Sequence, residues 1–315
     1  MSDGIAMQVV VQDSKEISPS TTTTKAPADA IAAAPPPVMR RKPHLSIRAT
    51  SGWTALQLGE LWRFRDLMFT LAARDVKLRY RQTMLGAIWV VLQPLFTAGV
   101  FTFLFGTVAK LSSDNVPYFL FAYTGLMAWN VFNNTVGKVN SSMVGNAHLI
   151  TKVYFPRLTL ALATLYTTYF DFLIAAGLLI VMMIRSRHEI TIGPGLLTLP
   201  IWLLLLTALA MGTGLLSAAF TVRYRDVGQI LGVGMQFLLF LSPVAYPASQ
   251  VPKRYLTFYL INPVSSLLEA FRWSLLGRTG VHWHYIGYAA GFSMLMLIVG
   301  AYAFKRMERT FVDVI

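Results

Sequence analysis

Hydrophobic positions run in long blocks from residue 85 to residue 304, separated by short breaks that carry the charges and most of the prolines. A helix needs roughly 20 apolar residues to cross a bilayer core. Six blocks meet that length or come close: Leu85–Gly106, Pro117–Val136, Leu158–Ile184, Leu196–Phe220, Val227–Leu241 and Tyr285–Phe304. No formal charge falls between Arg81 and Lys110, Glu189 and Arg223, Asp226 and Lys253, or Arg278 and Lys305, and Asp114 alone interrupts Lys110 to Lys138. The pattern predicts an all-α, polytopic membrane protein with six spans.

Other stretches depart from this pattern. Between Leu58 and Tyr80 the period becomes that of an amphipathic helix: Leu61, Phe64, Met68 and Leu71 share one side, and Arg63, Asp66, Thr70, Arg74 and Lys77 the other. Such a helix either lies in the membrane interface or packs against a neighbouring subunit. Residues 244–284 contain the apolar runs Val264–Leu268 and Phe271–Leu276, too short to cross, divided by Pro252, Asn262 and Pro263. They read either as two short helices dipping partway into the membrane or as an amphipathic loop. Residues 1–50 are rich in Ala, Pro, Ser and Thr, including Thr21–Thr24 and Pro35–Pro37, and are expected to form a disordered cytoplasmic tail ahead of one membrane domain over 51–315. That tail shows no signal-peptide core, so no cleavage is expected.

Composition agrees with the pattern: 55% of residues are hydrophobic and 13% charged, against about 25% charged in a soluble domain. The net charge of +13 is explained by topology and calls for no nucleic-acid partner. With the N-terminus inside, 20 of the 27 Lys and Arg residues fall on the cytoplasmic side and 7 outside, which places both termini in the cytoplasm. There is no cysteine, which excludes thiolate nucleophiles and cysteine-based metal sites.

The search for catalytic chemistry returns mostly negatives. No G-x-x-x-x-G-K-[ST] loop exists, since Gly137-Lys138 is followed by Val139 and has no glycine five positions earlier. Without that phosphate cradle the chain is not expected to be an enzyme that hydrolyses ATP. The histidines at 44, 148, 188, 282 and 284 are scattered, and no metal ligand set or bound cofactor is expected. Asp171 is the one ionisable residue well inside a predicted span; it is expected to bond to Thr167, Thr168 or Tyr169, or to line a wet cavity.

Aromatic and carboxamide residues suit a sugar path, because an aromatic face accepts the C–H face of a pyranose while amides satisfy its hydroxyls. The first two spans supply Trp89, Gln93, Phe96, Phe101, Tyr118, Tyr123, Trp129 and Asn130, followed by Asn133 and Asn134. For any single one of them, helix packing with polar residues as glue is the better reading. Pro94 is expected to kink span one. Gly228/Gly232 and Gly287/Gly291 have the spacing of close helix contacts. The cytoplasmic loop Gly137–Arg157 carries Leu149, Ile150, Val153, Tyr154 and Phe155 among polar residues, which points to burial against a partner or folding back on the interface.

The run Arg74-Asp-Val-Lys-Leu-Arg-Tyr-Arg-Gln-Thr-Met-Leu-Gly86, leading to Trp89 and Pro94, resembles the start of the ABC-2 type permeases that export O-antigen, capsule and teichoic acid. Asn146 through Leu158, Arg223-Tyr-Arg-Asp-Val227, Ser242-Pro-Val-Ala-Tyr246 and Asn262-Pro263 followed by Arg272 continue the likeness over residues 60–315. The resemblance implies a homodimer in the bacterial inner membrane, bound to separate nucleotide-binding ATPase subunits that carry the ATP and magnesium, and moving an undecaprenyl-linked glycan. It makes Asn146–Phe155 a coupling helix seated on the ATPase, with Asn146, His148, Leu149, Thr151, Lys152, Tyr154, Phe155 and Pro156 as contact residues. It makes Leu58–Ala73 an interface helix and residues 252–277 the short helices at the outer mouth. The basic group Arg74, Lys77, Arg79 and Arg81 either meets the lipid carrier's pyrophosphate or is plain cytoplasmic anchoring. Competing readings are an ABC-2 permease for a drug or lipid, an ion-coupled secondary transporter, and a membrane enzyme acting on lipid-linked sugars.

Overall fold

The structure is a computed structural model, and it describes residues 6–10, 46–50, 58–81, 88–114, 116–153, 155–185, 193–277 and 281–308. The chain divides into two units, residues 1–55 and 56–315. In the first, where a disordered tail is expected, strands β1 (Ala6–Val10) and β2 (Ser46–Thr50) pair antiparallel, from Ala6 opposite Thr50 to Val10 opposite Ser46. Composition averaged over 50 residues hides these two short runs, in which Val9, Val10, Ile47 and Thr50 favour extended backbone. Residues 11–45 lie outside the described residues.

In the second unit all described regular structure is helical. The amphipathic stretch forms α1 (Leu58–Arg63) and α2 (Arg65–Arg81), broken at Phe64. Then follow α3 (Ile88–Phe101), extended by a π-helical segment Thr102–Val108, α4 (Tyr118–Gly145) and a single turn, α5 (Ala147–Ile150). After α6 (Leu158–Arg185), a 3-10 turn at Pro194–Thr198 leads into α7 (Leu199–Thr221), and α8 (Asp226–Phe240) comes next. The last elements are α9 (Lys253–Ile261), α10 (Pro263–Leu276) and α11 (Trp283–Met307).

Among the described residues, four helices are long and apolar enough to cross a membrane: Ile88–Val108, Leu158–Arg185, Pro194–Thr221 and Trp283–Met307. The expected second and fifth spans differ for opposite reasons. Helix α4 has 28 residues but carries Asn130, Asn133, Asn134, Lys138 and Asn140, which lower its hydropathy. Helix α8 is apolar but has 15 residues, about 22 Å of helix against a core of about 30 Å. Helix α4 also runs nine residues past the expected end at Val136, so the first half of the expected loop Gly137–Arg157 is helical. The α3 helix runs through Pro94 without a break, and the π segment follows it.

At the centre, α7 packs against both α4 and α11, and α4 against α6. Two apolar clusters divide this core along its length. One lies around Leu120, Leu206, Leu267 and Phe271 at the end where α4 begins, and the other around Met143, Phe155, Leu215 and Phe304 at the end where it stops. The predicted apolar face of α2 joins the second: Leu71 is buried, and Leu61, Phe64 and Met68 pack on it. Asn262, expected to break the chain, does so by capping α10, its side-chain oxygen accepting from the Val264 amide at 3.1 Å.

The tightest approach comes at Gly212 of α7 and Gly300 of α11. A Cβ added to Gly300 would stand 2.1 Å from the Gly212 carbonyl oxygen. The glycine pairs with the expected spacing are not close contacts of that kind: nothing lies within 4 Å of a Cβ at Gly232, Gly287 or Gly291, and Gly228 meets only a side chain at 3.4 Å. Spacing along one helix cannot reveal which face a neighbour will press against.

Candidate functional site

Four elements converge on a cleft with about 640 Å³ of open space. Its walls are Gln93 and Pro94 from α3, Asn130, Asn133 and Asn134 from α4, Thr168 and Asp171 from α6, and Arg79 from the end of α2. A helix presents residues three and four apart on one side, so Asn130, Asn133 and Asn134 form one polar stripe facing Gln93 across the opening. Carboxamides donate and accept without carrying charge, which suits a surface that must hold and release hydroxyl-rich material.

Asp171 lines the cleft, as the second of its two expected roles has it, and it is held there by cations. Its Oδ2 accepts from Arg79 Nη1 and, at 3.2 Å, from Lys138 Nζ. Lys138 is the member that donates to the threonine hydroxyls, at 3.1 Å to Thr167 and 3.3 Å to Thr168. Tyr169 instead exchanges a hydrogen bond with Thr207 of α7 at 2.8 Å. A carboxylate this far along a span demands cationic partners, and α2 and α4 supply one each.

Of the expected path residues, the structure brings Gln93 and Asn130 to the cleft and leaves the aromatics elsewhere. Phe101 and Trp129 are buried in the core. Tyr123 is buried and donates to the Ala175 carbonyl at 3.0 Å, and Tyr118 donates to that of Ala245. Trp89 and Phe96 stand outward, 53% and 63% exposed. Lys138, which holds Asp171 at the corner of the cleft, was missed in reading the sequence; its place in the helix two residues beyond the expected end of span two was the available signal.

The four basic residues expected to act together are also divided. Arg74 pairs with Asp75 at 2.8 Å and donates to Asn146 Oδ1 at 2.8 Å, linking α2 to the turn before α5. Arg79 belongs to the cleft, while Lys77 and Arg81 are exposed. In the segment after α4, Ile150 and Phe155 are spent inside the chain's own core, and His148, Thr151, Lys152 and Val153 face outward, Val153 at 55% exposure. Leu149, Asn146 and Pro156 are half-buried; Tyr154 lies outside the described residues. Glu308 holds the end of this segment, accepting from the Arg157 amide at 3.2 Å.

The opposite end of the bundle gathers two sequence motifs that are far apart in the chain. Asn262 Nδ2 donates to Ser242 Oγ at 3.2 Å, and Arg272 donates to the Pro243 carbonyl. The guanidinium of Arg272 lies 3.7 Å from the centre of the Phe121 ring. Glu269, one turn earlier, accepts from the Ala248 amide at 3.2 Å. These bonds fasten α9 and α10 to the turn that follows α8.

Residues 66–276 match the family described as ABC-2 type transporter. The chain is also similar to the O-antigen export system permease protein RfbA of Klebsiella pneumoniae, 24% identical over 250 residues that cover 79% of this chain and 95% of the relative. Against the protein of the same description from Myxococcus xanthus it is 28% identical, over 68% of this chain and 81% of the relative. The polysialic acid transport protein KpsM of Escherichia coli is 23% identical, over 76% and 92%.

Proposed function

This chain belongs to the ABC-2 type transporter family, and we propose that it is the permease subunit of an ATP-driven exporter moving a lipid-linked polysaccharide across the bacterial inner membrane. The observation that carries the reading is the uncharged carboxamide stripe of α4 facing Gln93 in a cleft with a cationic corner. Relatives named for O-antigen and polysialic acid transport match over most of their length, which favours a polysaccharide over a drug or simple lipid. An ion-coupled carrier calls for a relay of intramembrane carboxylates, whereas Asp171 is paired with Arg79 and Lys138.

In this reading α4 and α8 complete six spans, and both termini lie in the cytoplasm, in keeping with the 20 Lys and Arg residues on that side. Helix α4 then crosses as the polar-lined span, shielded by its neighbours. The permease works as a homodimer, with the sparsely buried α3 and α8 as candidate contact faces. ATP and magnesium reside on a separate nucleotide-binding subunit. That subunit seats on the segment Asn146–Arg157, where the exposed His148, Thr151, Lys152 and Val153 make the contact. Arg74 passes the resulting motion to α2 through Asn146. Helices α9 and α10 close the outer mouth.

Two outcomes test this. Val153→Asp places a charge on an exposed position, so folding is expected to persist while co-purification of the ATPase subunit falls at least about tenfold, a loss of about 1.4 kcal/mol; full retention removes the segment from the interface. Asn130→Leu and Gln93→Leu keep side-chain volume but make the cleft apolar. Cells carrying both are expected to show little surface polysaccharide with normal membrane levels of the protein, and wild-type display would take the cleft out of the export path.

A further inference from the structure

The end of α11 and the start of α6 hold each other by two bonds that run in opposite directions. Glu308, the residue that caps the end of α11, accepts from the Arg157 amide through Oε1 at 3.2 Å, and its own backbone carbonyl accepts from the Arg157 guanidinium. We infer that this clasp is a second arm of the coupling apparatus, with Glu308 as a positioning residue that passes the ATPase stroke from the segment Asn146–Arg157 to α11 as well as to α6. The inference rests on the export reading and names the parts that carry its motion.

A helix leaves amide donors without helical partners at its start and carbonyls at its end. Its dipole favours an anion at the first and a cation at the second. The clasp meets both demands: the Glu308 carboxylate stands at the start of α6, and the Arg157 guanidinium at the end of α11. Lys305, one turn back, holds the other carboxylate oxygen at 2.7 Å, and the Glu308 side chain is 14% exposed, so water competes poorly for these bonds. Beside them, Phe155 and Phe304 are buried in one apolar cluster. The far end of the segment is thus fastened by polar and apolar contacts together, whereas His148, Thr151, Lys152 and Val153 stay exposed.

Two routes lead from the clasp to the cleft. Along α6 the first reaches Thr168 and Asp171. Along α11 the second reaches Gly300, roughly two turns before Glu308. There α11 meets the backbone of α7 at Gly212, with no flexible side chain between them to absorb a displacement. Helix α7 packs in turn on α4, which carries Asn130, Asn133 and Asn134 to the cleft. A pull on Glu308 therefore moves rigid elements all the way to the polar stripe.

The test uses the permease with its ATPase subunit and compares ATP turnover of the purified complex in nanodiscs with surface polysaccharide in cells. Glu308→Ala is expected to lower the polysaccharide displayed per ATP hydrolysed at least about fivefold, while co-purification and hydrolysis stay at the parent's level. Glu308→Gln keeps an oxygen at full reach for the Arg157 amide and is expected to couple as the parent does. A merely structural role predicts instead that complex yield, hydrolysis and display fall together. That result overturns the inference, as does unchanged coupling in Glu308→Ala or a Glu308→Gln variant as uncoupled as Glu308→Ala. If Glu308→Ala does not accumulate, Glu308→Asp, shorter by one methylene, is read by the same ratio: a fall supports the clasp and parity overturns it. A parent complex that does not link hydrolysis to display sinks the export reading as well, whereas a coupled parent matched by Glu308→Ala sinks the clasp alone.

Discussion

Gly300→Val is expected to abolish folded protein, and Gly212→Val to do the same. A Cβ at Gly212 would lie 2.3 Å from the carbonyl carbon of Met296 and 2.5 Å from the Leu297 nitrogen, and one at Gly300 meets the Gly212 carbonyl. Those atoms are backbone, so no rotamer change relieves the clash; α7 and α11 must separate. Overpacking a core costs about 1–3 kcal/mol where side chains can shift, and more where they cannot. Separation also uncovers the apolar surface that α7 holds against α4. The measurement is the yield of monodisperse protein in detergent and its melting temperature. Gly287→Val and Gly291→Val, on the same α11 but with open space around them, serve as controls expected to behave as the parent. A Gly300 variant that melts with the parent would refute the crossing.

Arg272→Ala comes next, at about 2–5 kcal/mol, the cost of emptying a large buried side chain, with the Pro243 carbonyl left without its donor. Arg272 is 1% exposed and Glu269 stays buried after its removal. The guanidinium also lies over Phe121, and room for it exists because residue 125 is glycine: a Cβ there would stand 2.4 Å from Arg272 Nη2. Lysine has neither the planar face nor the fork, so Arg272→Lys is expected to recover little. Arg272→Met combined with Glu269→Gln removes both charges and is expected to recover much of the stability. Thermal melting of the four proteins checks the series; equal melting of Arg272→Ala and wild type would show that the buried guanidinium contributes nothing. In the export reading the same loss loosens α9 and α10 at the outer mouth, so polymer leakage or failed gating should accompany it.

The helices and their breaks were legible because their causes are local. A transmembrane helix satisfies its backbone within itself, so charge gaps mark where it runs. Pro252, Asn262 and Pro263 mark where it stops, and the 3.6 period of Leu61, Phe64, Met68 and Leu71 shows which side of α2 is buried. Local averages misled where two requirements met in one helix. Asn130, Asn133 and Asn134 of α4 line the cleft and Lys138 holds Asp171 at its corner, which disguised how far that helix continues. The aromatics looked like a path because chemistry suited to sugars is equally suited to packing, and Phe101, Tyr123 and Trp129 pack.

The sequence by itself determined a helical membrane protein of the ABC-2 type, without its own phosphate-binding loop, and the residue types from which its site is made. Tertiary structure alone decided the pairings: Asp171 with an arginine 92 positions and a lysine 33 positions away, Gly212 against Gly300, and Arg272 over Phe121 beside Gly125. The reason is that hydropathy registers how each residue stands toward its solvent, whereas these partners meet only through the angle and depth at which helices cross. That geometry is set by side-chain fit across the whole bundle, and no window along the chain contains it.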